Sequence, residues 1–315
     1  MKNIIITPYT VTNNEYITIH KNLFSKMGYK TSNVKIKNIL SRNQNIFVCN
    51  WVEDNLKGTG LRLILNILKF SILCLYGVLA AKKFIWVRHN LKPHNDFRNQ
   101  YVYKLGLNIL HKIADVVIYH GQYKINDCYR YIPHPLYMQE QINPQISKTI
   151  DFAFYGKIAR YKGLVDLLNN WPQHLNLLIR GSCDDPELKQ EIAKIIDVRG
   201  LERVVSLNYG YIEHEDLNAM MYSTKYLILP HEDQSMIVSG AFYHGISYGA
   251  NIIAKESSFS KSMAKKYPFC TTYNNENLQD VLSSLKYIEP HEVKEISIKA
   301  FGEEVCMKEW KSVFA

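Results

Sequence analysis

The segment that decides the fold, residues 154–164, reads FYGKIARYKGL. Its first residues end an apolar run that predicts a buried strand, and its last two residues open the run Gly-Leu-Val-Asp-Leu-Leu, which predicts a helix start. Between these elements the chain places Lys157, Arg160 and Lys162. Like charges this close repel one another unless an anionic group lies between them. The stretch therefore predicts a strand-to-helix turn that gathers cations at the edge of a sheet.

Apolar runs alternate with helical periods through the whole chain of 315 residues. This pattern is typical of parallel sheets covered by helices, and it predicts an α/β fold with two Rossmann-like domains. We expect an interdomain cleft at the carboxyl ends of the strands, where open sheets bind ligands. The predicted parts are a first domain at 1–135, a linker at 136–149, a second domain at 150–289 and a C-terminal helix at 290–315 that packs back on the first domain. The linker belongs to the stretch 131–149, which has three prolines and no helical period.

The same pattern places the individual elements. In the first domain we predict strands near 3–6, 33–36, 45–49, 84–87, 116–119 and 129–132, and helices near 15–27, 60–82 and 98–113. In the second domain we predict strands near 150–155, 175–180, 203–207, 226–229, 251–254 and 269–272, and helices near 163–170, 186–198, 214–222, 238–248 and 276–287.

The composition narrows the class of partner. The net charge of +9 suits a nucleic acid, an anionic membrane or a phosphorylated substrate. The lysines are scattered and no zinc-finger or RNA-binding signature occurs, so we expect no nucleic-acid partner. The six cysteines lie far apart without a C-x-x-C pair, which argues against a disulfide framework and a metal site and favours a cytoplasmic protein. The apolar part of the N-terminus is too short for a signal peptide and predicts a first core strand.

One segment, 61–81, is apolar enough to suggest a membrane: LRLILNILKFSILCLYGVLAA. Arg62, Asn66 and Lys69 interrupt it at helical spacing, so that only 70–81 is uninterrupted. This length favours a helix buried in the core, with contact to a membrane surface as the second interpretation and a transmembrane span as the third.

The cation turn has two interpretations. A turn from a strand into a helix presents backbone N–H groups and a partial positive charge, and Gly156 permits close approach of an anion such as a diphosphate. The alternative is a solvated surface turn. A second stretch, YLILPHEDQSMIVSGAFYHGISYGANIIA at 226–254, adds another helix N-terminus, at which Ser239 is a natural cap and Gly240 bares the backbone. Neither a dinucleotide fingerprint nor a P-loop is present.

At these two stretches the sequence resembles the two-domain GT-B glycosyltransferases, in particular branches of glycosyltransferase family 4 and related mannosyl- and glucuronosyltransferases of bacterial exopolysaccharide assembly. YGKIARYKG is similar to their Gly-Arg-…-Lys-Gly diphosphate loop, with Lys157 in the Arg position and Lys162 in the Lys position. LP…SGAFYHGISYGANIIA is similar to their donor-site helix.

Three patches of the first domain resemble the same group. NNEYITIHKNLFSKMGY at 13–29 is similar to an acceptor-side loop and helix, FIWVRHNLKPHN at 84–95 to a strand that ends in His-Asn before Pro-His, and YIPHPLY at 131–137 to the segment that closes the domain. Family 4 members carry two glutamates separated by seven residues. Here these positions fall near Met236 and on His244, with Glu232 and Asp233 just upstream, and the departure leaves the donor and the stereochemistry open.

The resemblance implies roles for particular residues. The donor diphosphate is expected to contact Gly156, Lys157, Arg160, Lys162, Ser239 and Gly240. The donor sugar or nucleoside is expected near His231, Glu232, Asp233 and His244, and the acceptor near Thr12, Asn13, Asn14, Tyr16, Asn90 and His94. His89 follows a strand end and is a candidate base, as is Asp96. The alternatives are a packed histidine at His89 and helix caps at Asp96 and Asn14.

The expected function is metal-independent transfer of a hexosyl group from a nucleotide-sugar, with a UDP- or GDP-sugar as co-substrate and no other cofactor. No Asp-x-Asp occurs, which argues against a divalent metal at the diphosphate. The resemblance implies a lipid-linked saccharide acceptor in bacterial surface polysaccharide (capsule or exopolysaccharide) synthesis, at the inner face of the cytoplasmic membrane. Two alternatives share the fold: a nucleotide-sugar 2-epimerase and a non-catalytic GT-B partner subunit.

Overall fold

The computed structural model describes residues 2–11, 14–91, 99–121, 129–142, 147–231 and 237–315. The chain forms two compact units. The first contains the described residues up to Pro135 together with 237–238 and Glu303–Ala315. The second contains the described residues of 136–231 and 239–302.

Each unit is built on one six-stranded sheet in which every pair of neighbouring strands is parallel. In the first unit the strands are β1 (Asn3–Thr7), β2 (Lys30–Ser32), β3 (Asn45–Asn50), β4 (Lys83–Val87), β5 (Val116–Tyr119) and β6 (Tyr129–Tyr131), in the order β2-β1-β3-β4-β5-β6. In the second they are β7 (Ile150–Tyr155), β8 (Leu177–Gly181), β9 (Val205–Tyr209), β10 (Thr224–Leu229), β11 (Asn251–Lys255) and β12 (Cys270–Tyr273), in the order β12-β11-β10-β7-β8-β9.

Helices connect the parallel strands. The α-helices are α1 (Tyr16–Lys26), α2 (Gly60–Ala80), α3 (Gln100–Ile113), α4 (Leu164–Asn170), α5 (Pro186–Val198), α6 (His214–Ser223), α7 (Gly240–Ser247), α8 (Ser258–Lys266), α9 (Leu278–Ser283), α10 (Pro290–Phe301) and α11 (Glu303–Phe314). Shorter 3₁₀ helices span Ile36–Gln44, Val52–Asn55 and Arg160–Lys162. The predicted α/β fold with two parallel sheets is confirmed.

The core of the first unit lies on both faces of its sheet. On one face, α2 approaches the strands so closely that a Cβ added at Gly77 would lie 2.4 Å from Phe47 Cδ1 and 2.5 Å from Phe84 Cε2. On the other, α11 packs against α1, with the Trp310 ring 5.0 Å from the Phe24 ring. The last helix of the chain therefore belongs to the first unit.

The second unit buries two lysines against helix ends. Lys148 Nζ donates to Met221 O at 3.2 Å and to Tyr248 O at 2.6 Å. Lys294, fully buried, donates to Ser247 O at 2.8 Å and also to Met138 O. Burial lowers the pKa of Lys148 to about 7 and that of Lys294 to about 8. Two amines thus hold the carboxyl-terminal end of α7, where a cation is favoured by the helix dipole.

Three element predictions differ from the structure. The single helix predicted at 290–315 is two helices that separate at Gly302, with α10 in the second unit and α11 in the first. The segment 33–36 is not a strand; the second strand is β2, and a 3₁₀ helix begins at Ile36. Asn38 Nδ2 donates to Asn33 O, and Tyr76 OH accepts from the N–H of Lys35 and donates to its carbonyl. Because side chains use these backbone groups, they do not pair with a neighbouring strand. Helix α8 was not predicted, although Ser257 and Ser260 form a capping box at its start.

Candidate functional site

The candidate donor site lies at the carboxyl edge of the second sheet. Because its strands are parallel, the segments that follow β7, β8 and β10 meet at one edge. These segments are the cation turn, the acidic stretch that leads into α5, and the loop that contains His231.

Gly156 lies under a neighbouring backbone. It adopts φ +115°, a left-handed conformation that favours glycine, and its N–H donates to Arg180 O at 3.1 Å. On the next strand, a Cβ added at Gly181 would lie 1.8 Å from Gly156 O. The absence of a side chain at Gly181 therefore sets the position of the cation turn.

We expect Gly181→Ala to displace this turn. The added methyl meets backbone rather than a flexible side chain, so the free energy of unfolding should fall by about 3 kcal/mol, with any nucleotide-induced stabilisation reduced as well. Urea unfolding followed by circular dichroism measures the change. Gly210→Ala is the matched control, because its Cβ would find only Asn208 Oδ1 at 3.6 Å. Equal stability of the two variants would contradict this interpretation.

The protein's own carboxylates meet two of the three cations. Lys157 Nζ lies 2.7 Å from Asp184 Oδ2. Arg160 contacts Asp185 at 3.2 Å and Glu191 at 2.8 Å. Each pair holds the pKa of its cation above the usual value, first through the side-chain hydrogen bond and then through the opposite charge. These exposed ion pairs offset the repulsion between the cations of the turn. Contact of Lys157 and Arg160 with a diphosphate stays a prediction.

Lys162 has a different neighbour. Its Nζ lies 2.8 Å from His231 Nε2, which joins the turn after β7 to the loop after β10. The ammonium donates and the imidazole nitrogen accepts, so His231 carries its proton on Nδ1 in this arrangement. Because His231 is buried, the pair places a cation at a fixed point of the sheet edge.

Helix α7 begins at the predicted cap. Ser239 Oγ accepts a hydrogen bond from Phe242 N, and a Cβ added at Gly240 would lie 3.1 Å from Tyr137 OH. The first N–H groups of a helix lack partners within the helix and attract anions. The start of α7 can therefore receive a negatively charged group.

His244 is packed inside the second unit rather than exposed on α7. Its Nδ1 accepts a hydrogen bond of 2.7 Å from Tyr155 OH, at the end of β7. Burial lowers the pKa of His244 to about 4, so the ring is neutral at pH 7. The hydrogen bond to Tyr155 ties α7 to β7. Contact of His244 with the donor stays a prediction.

The carboxyl edge of the first sheet gathers aromatic and imidazole rings. His89, which follows β4, donates from Nε2 to Asn50 Oδ1 at 3.1 Å and stacks on Trp51 with ring centroids 4.2 Å apart. Trp51 adopts φ 51°, which is a rare conformation for a bulky side chain. Such backbone outliers cluster at functional sites, and this one fixes the ring against His89.

Three further histidines surround Tyr16, and sequence reasoning did not single them out as a group. His120 Nε2 accepts from Tyr16 OH at 2.6 Å, while its Nδ1 donates to Ile132 O. The ring centroids of His20, His89 and His134 lie 4.1 to 5.4 Å from that of Tyr16. A signal was present: a histidine follows the end of β4, β5 and β6 within a few residues, and these ends share one edge.

Burial keeps these four histidines neutral. It lowers the pKa of His120 to about 4 and, helped by His120, that of His20 to about 3. It holds the pKa values of His89 and His134 well below 6.5 for the same reason. Neutral imidazoles can accept a proton or a hydrogen bond, and four of them in one place make this edge a second candidate site.

The remaining predicted residues are placed as follows. Asn14 Oδ1 accepts from Tyr16 N at 2.9 Å, and Asn90 O accepts from Arg88 Nε at 3.2 Å. The others lie outside the described residues: Thr12, Asn13, His94, Asp96, Glu232 and Asp233. Within the described part of the chain, no three His, Cys, Asp or Glu side chains are grouped to hold a metal ion.

Comparison with protein-family models finds no match, and comparison with curated protein sequences finds none either. Solved structures do match over the whole chain. HepE from Anabaena in complex with UDP is 11% identical, with 99% of each chain covered and a TM-score of 0.66. The fold is that of the GT-B glycosyltransferases.

Two other structures extend this likeness. AviGT4, a glycosyltransferase involved in avilamycin A biosynthesis, is 12% identical, with 100% of this chain and 97% of that chain covered and a TM-score of 0.60. The lipopolysaccharide outer core galactosyltransferase WaaB is 13% identical, with coverage of 100% and 99% and a TM-score of 0.62. At these identities the likeness establishes the fold, and membership of glycosyltransferase family 4 stays a prediction.

Proposed function

We propose that the chain is a glycosyltransferase that uses a uridine diphosphate sugar. The observation that carries this proposal is the contact of Lys162 with His231, which sets a cation at the carboxyl edge of a Rossmann-like sheet. The start of α7 belongs to the same unit. The likeness to HepE supports the choice of nucleotide, since HepE has been solved with UDP and with UDP-glucose.

Sugar transfer requires stabilisation of the departing diphosphate. When the bond between the anomeric carbon and the diphosphate breaks, negative charge develops on the β-phosphate. In this proposal the Lys162 ammonium and the first N–H groups of α7 stabilise that charge in place of a metal ion. They are effective because their positions are fixed before the reaction begins. His231 positions the ammonium by accepting its hydrogen bond.

In this proposal His89 takes the proton of the acceptor hydroxyl. Its Nε2–H is engaged with Asn50 Oδ1, so the neutral ring carries its lone pair on Nδ1. Burial keeps the His89 ring neutral at pH 7 and also makes it a weak base, so in this proposal it accepts the proton only as the acceptor oxygen bonds to the anomeric carbon and its hydroxyl becomes acidic. Trp51 and Asn50 hold the ring in place.

We further propose that the acceptor is a lipid-linked saccharide in the synthesis of a bacterial surface polysaccharide, at the inner face of the cytoplasmic membrane. The net charge of +9 supports a site beside anionic lipid. The likeness to WaaB, which is a lipopolysaccharide galactosyltransferase, supports an acceptor of this class.

Ligand-induced stabilisation tests the donor. At a concentration of about 100 times the dissociation constant, UDP or its sugar should stabilise the fold by about 2.7 kcal/mol, which raises the melting temperature by roughly 5 °C. Thermal melts with UDP, GDP, dTDP and their sugars, with and without EDTA, measure it. EDTA should leave the shift unchanged. If none of these compounds raises the melting temperature, the proposal is wrong.

Product analysis separates the alternatives. NMR of the donor incubated alone should show no change other than slow hydrolysis. Epimerised sugar without an acceptor would instead identify a 2-epimerase. Nucleotide binding without turnover on any acceptor would favour the partner-subunit alternative.

A further inference from the structure

Helix α2 carries large apolar side chains on its solvent side. They are between 46% and 71% exposed and lie at positions i, i+3, i+4, i+7, i+11, i+14 and i+18, which places them on one face of the helix. We call them the α2 face: Leu61, Ile64, Leu65, Leu68, Ile72, Leu75 and Leu79. Soluble monomers rarely expose a continuous apolar strip of this length, so the α2 face requires a partner.

The other side of α2 is fixed to the sheet. Gly77 lies against Phe47 and Phe84, and Phe70 and Cys74 are buried. Among the described residues, α2 is the one helix long and apolar enough to cross a membrane by length and composition. Because its buried side completes the core of the first unit, α2 lies along the surface of that unit, as an interfacial helix does.

Neighbouring elements widen the apolar strip. The 3₁₀ helix 36–44 exposes Ile36 and Leu40, at 86% and 91%, and its Arg42 donates to Val78 O of α2. Helix α3, whose Gly106 lies against Phe70, exposes Tyr101 and Leu105. Three adjacent elements therefore expose large apolar side chains in the first unit.

The positive charge of these three elements indicates the kind of partner. The sequences of these three elements contain no aspartate and no glutamate. They carry six cations: Lys37, Arg42, Arg62, Lys69, Lys104 and Lys112. A second copy of the chain would present the same positive surface and be repelled, whereas anionic lipid headgroups attract it.

We propose that the α2 face, with the exposed ends of the 3₁₀ helix 36–44 and of α3, docks the protein on an anionic lipid bilayer. The leucine and isoleucine side chains enter the boundary between headgroups and acyl chains, and the flanking lysines and arginines contact the phosphates. This inference rests on the membrane location proposed above and adds the surface that makes the contact, but it does not depend on the identity of the donor.

Vesicle binding tests the proposal on the full chain. In co-sedimentation, the protein should bind vesicles of equal parts phosphatidylglycerol and phosphatidylcholine. Its partition coefficient should fall about tenfold on vesicles of phosphatidylcholine alone, and also in 1 M salt, where the Debye length shrinks to about 3 Å.

Substitutions then locate the docking surface. The combined variant Leu65→Gln, Leu68→Gln and Ile72→Gln removes three side chains that are more than half exposed, so the fold should persist while vesicle binding falls about a hundredfold. The matched control is Val198→Gln with Tyr211→Gln, two exposed apolar residues of the second unit, and it should bind as the unaltered chain does.

Three results would overturn the proposal. They are failure of the unaltered chain to bind phosphatidylglycerol vesicles, equal binding by the triple variant, and a dimer that the triple substitution converts to a monomer. The last would identify a second copy as the partner. Melting temperatures with UDP, taken on every variant, keep this outcome distinct from that of the donor, because the α2 face lies in the first unit and Lys162 in the second.

Discussion

Lys162→Ala should lower the rate of sugar transfer by about 10²- to 10³-fold. In the proposed mechanism the Lys162 ammonium, held 2.8 Å from His231 Nε2, stabilises the additional negative charge that develops on the β-phosphate as the diphosphate leaves. Binding of the intact nucleotide-sugar should weaken far less than turnover. Steady-state kinetics with the best donor of the thermal panel measure both quantities.

Lys299→Ala is the matched control for Lys162→Ala. Lys299 lies on α10 of the same unit, is mostly exposed and pairs with Glu295 at 2.7 Å. Its loss should change turnover by less than about twofold, because exposed pairs contribute little. If Lys162→Ala kept the unaltered rate with its fold intact, the leaving group would have to be stabilised elsewhere.

Acid should unfold the first unit well before it affects exposed ion pairs. Four buried histidines have pKa values far below 6.5 in the folded unit: His20, His89, His120 and His134. Below about pH 6.5 the unfolded chain therefore binds protons at these rings and the folded unit does not. Their contribution is complete above about pH 6.5 and is lost as the pH falls toward 4.

One buried acid opposes this trend. Burial raises the pKa of Glu53 to about 7, so the folded unit keeps a proton there that the unfolded chain releases above about pH 4.5. Four histidines outweigh one carboxyl, so unfolding near pH 5 takes up protons and the stability of the first unit should fall as the pH falls below about 6.5. Thermal melts between pH 7 and 4.5, followed by tryptophan fluorescence, report on it, because Trp51, Trp86 and Trp310 belong to the first unit.

His20→Leu isolates one member of the group. Its Nε2 has no hydrogen-bond partner among the described residues, so the substitution removes a titrating group at limited cost. The slope of stability with pH should decrease by about 1.4 kcal/mol per pH unit. An unaltered slope in His20→Leu would show that the acid sensitivity has another origin.

The fold was predictable because every strand except β2 carries a local sequence signal. The apolar run of β7 and the glycine after it define a strand end from local residues alone, and the apolar runs of β3 and β5 are equally local signals. Helix α8 escaped prediction since its polar, serine-rich sequence buries only Phe259, Ser260 and Met263. The segment 33–36 alternates polar and apolar residues as a strand does, but the Tyr76 hydroxyl, 41 residues from Lys35 in sequence, takes the backbone hydrogen bonds of Lys35.

The site was predictable only in part, because its contacts join separate elements. The sequence shows that cations gather after β7, but not that Asp184 and Asp185 on the adjacent strand's connection neutralise two of them. The pairing of Lys162 with His231 likewise depends on β10 lying beside β7. The order of strands in a sheet is set by packing over the whole unit and cannot be read from any one segment.

The two buried amines at the end of α7, Lys148 and Lys294, should affect whether the protein refolds after denaturation. Both are inaccessible while the second unit is folded and become ordinary reactive amines once it opens. Cyanate in aged urea would then carbamylate them, and the enlarged neutral group could no longer bridge the carbonyls of Ser247 and Tyr248. Recovery after denaturation should therefore depend on the denaturant, with guanidinium permitting renaturation where old urea does not.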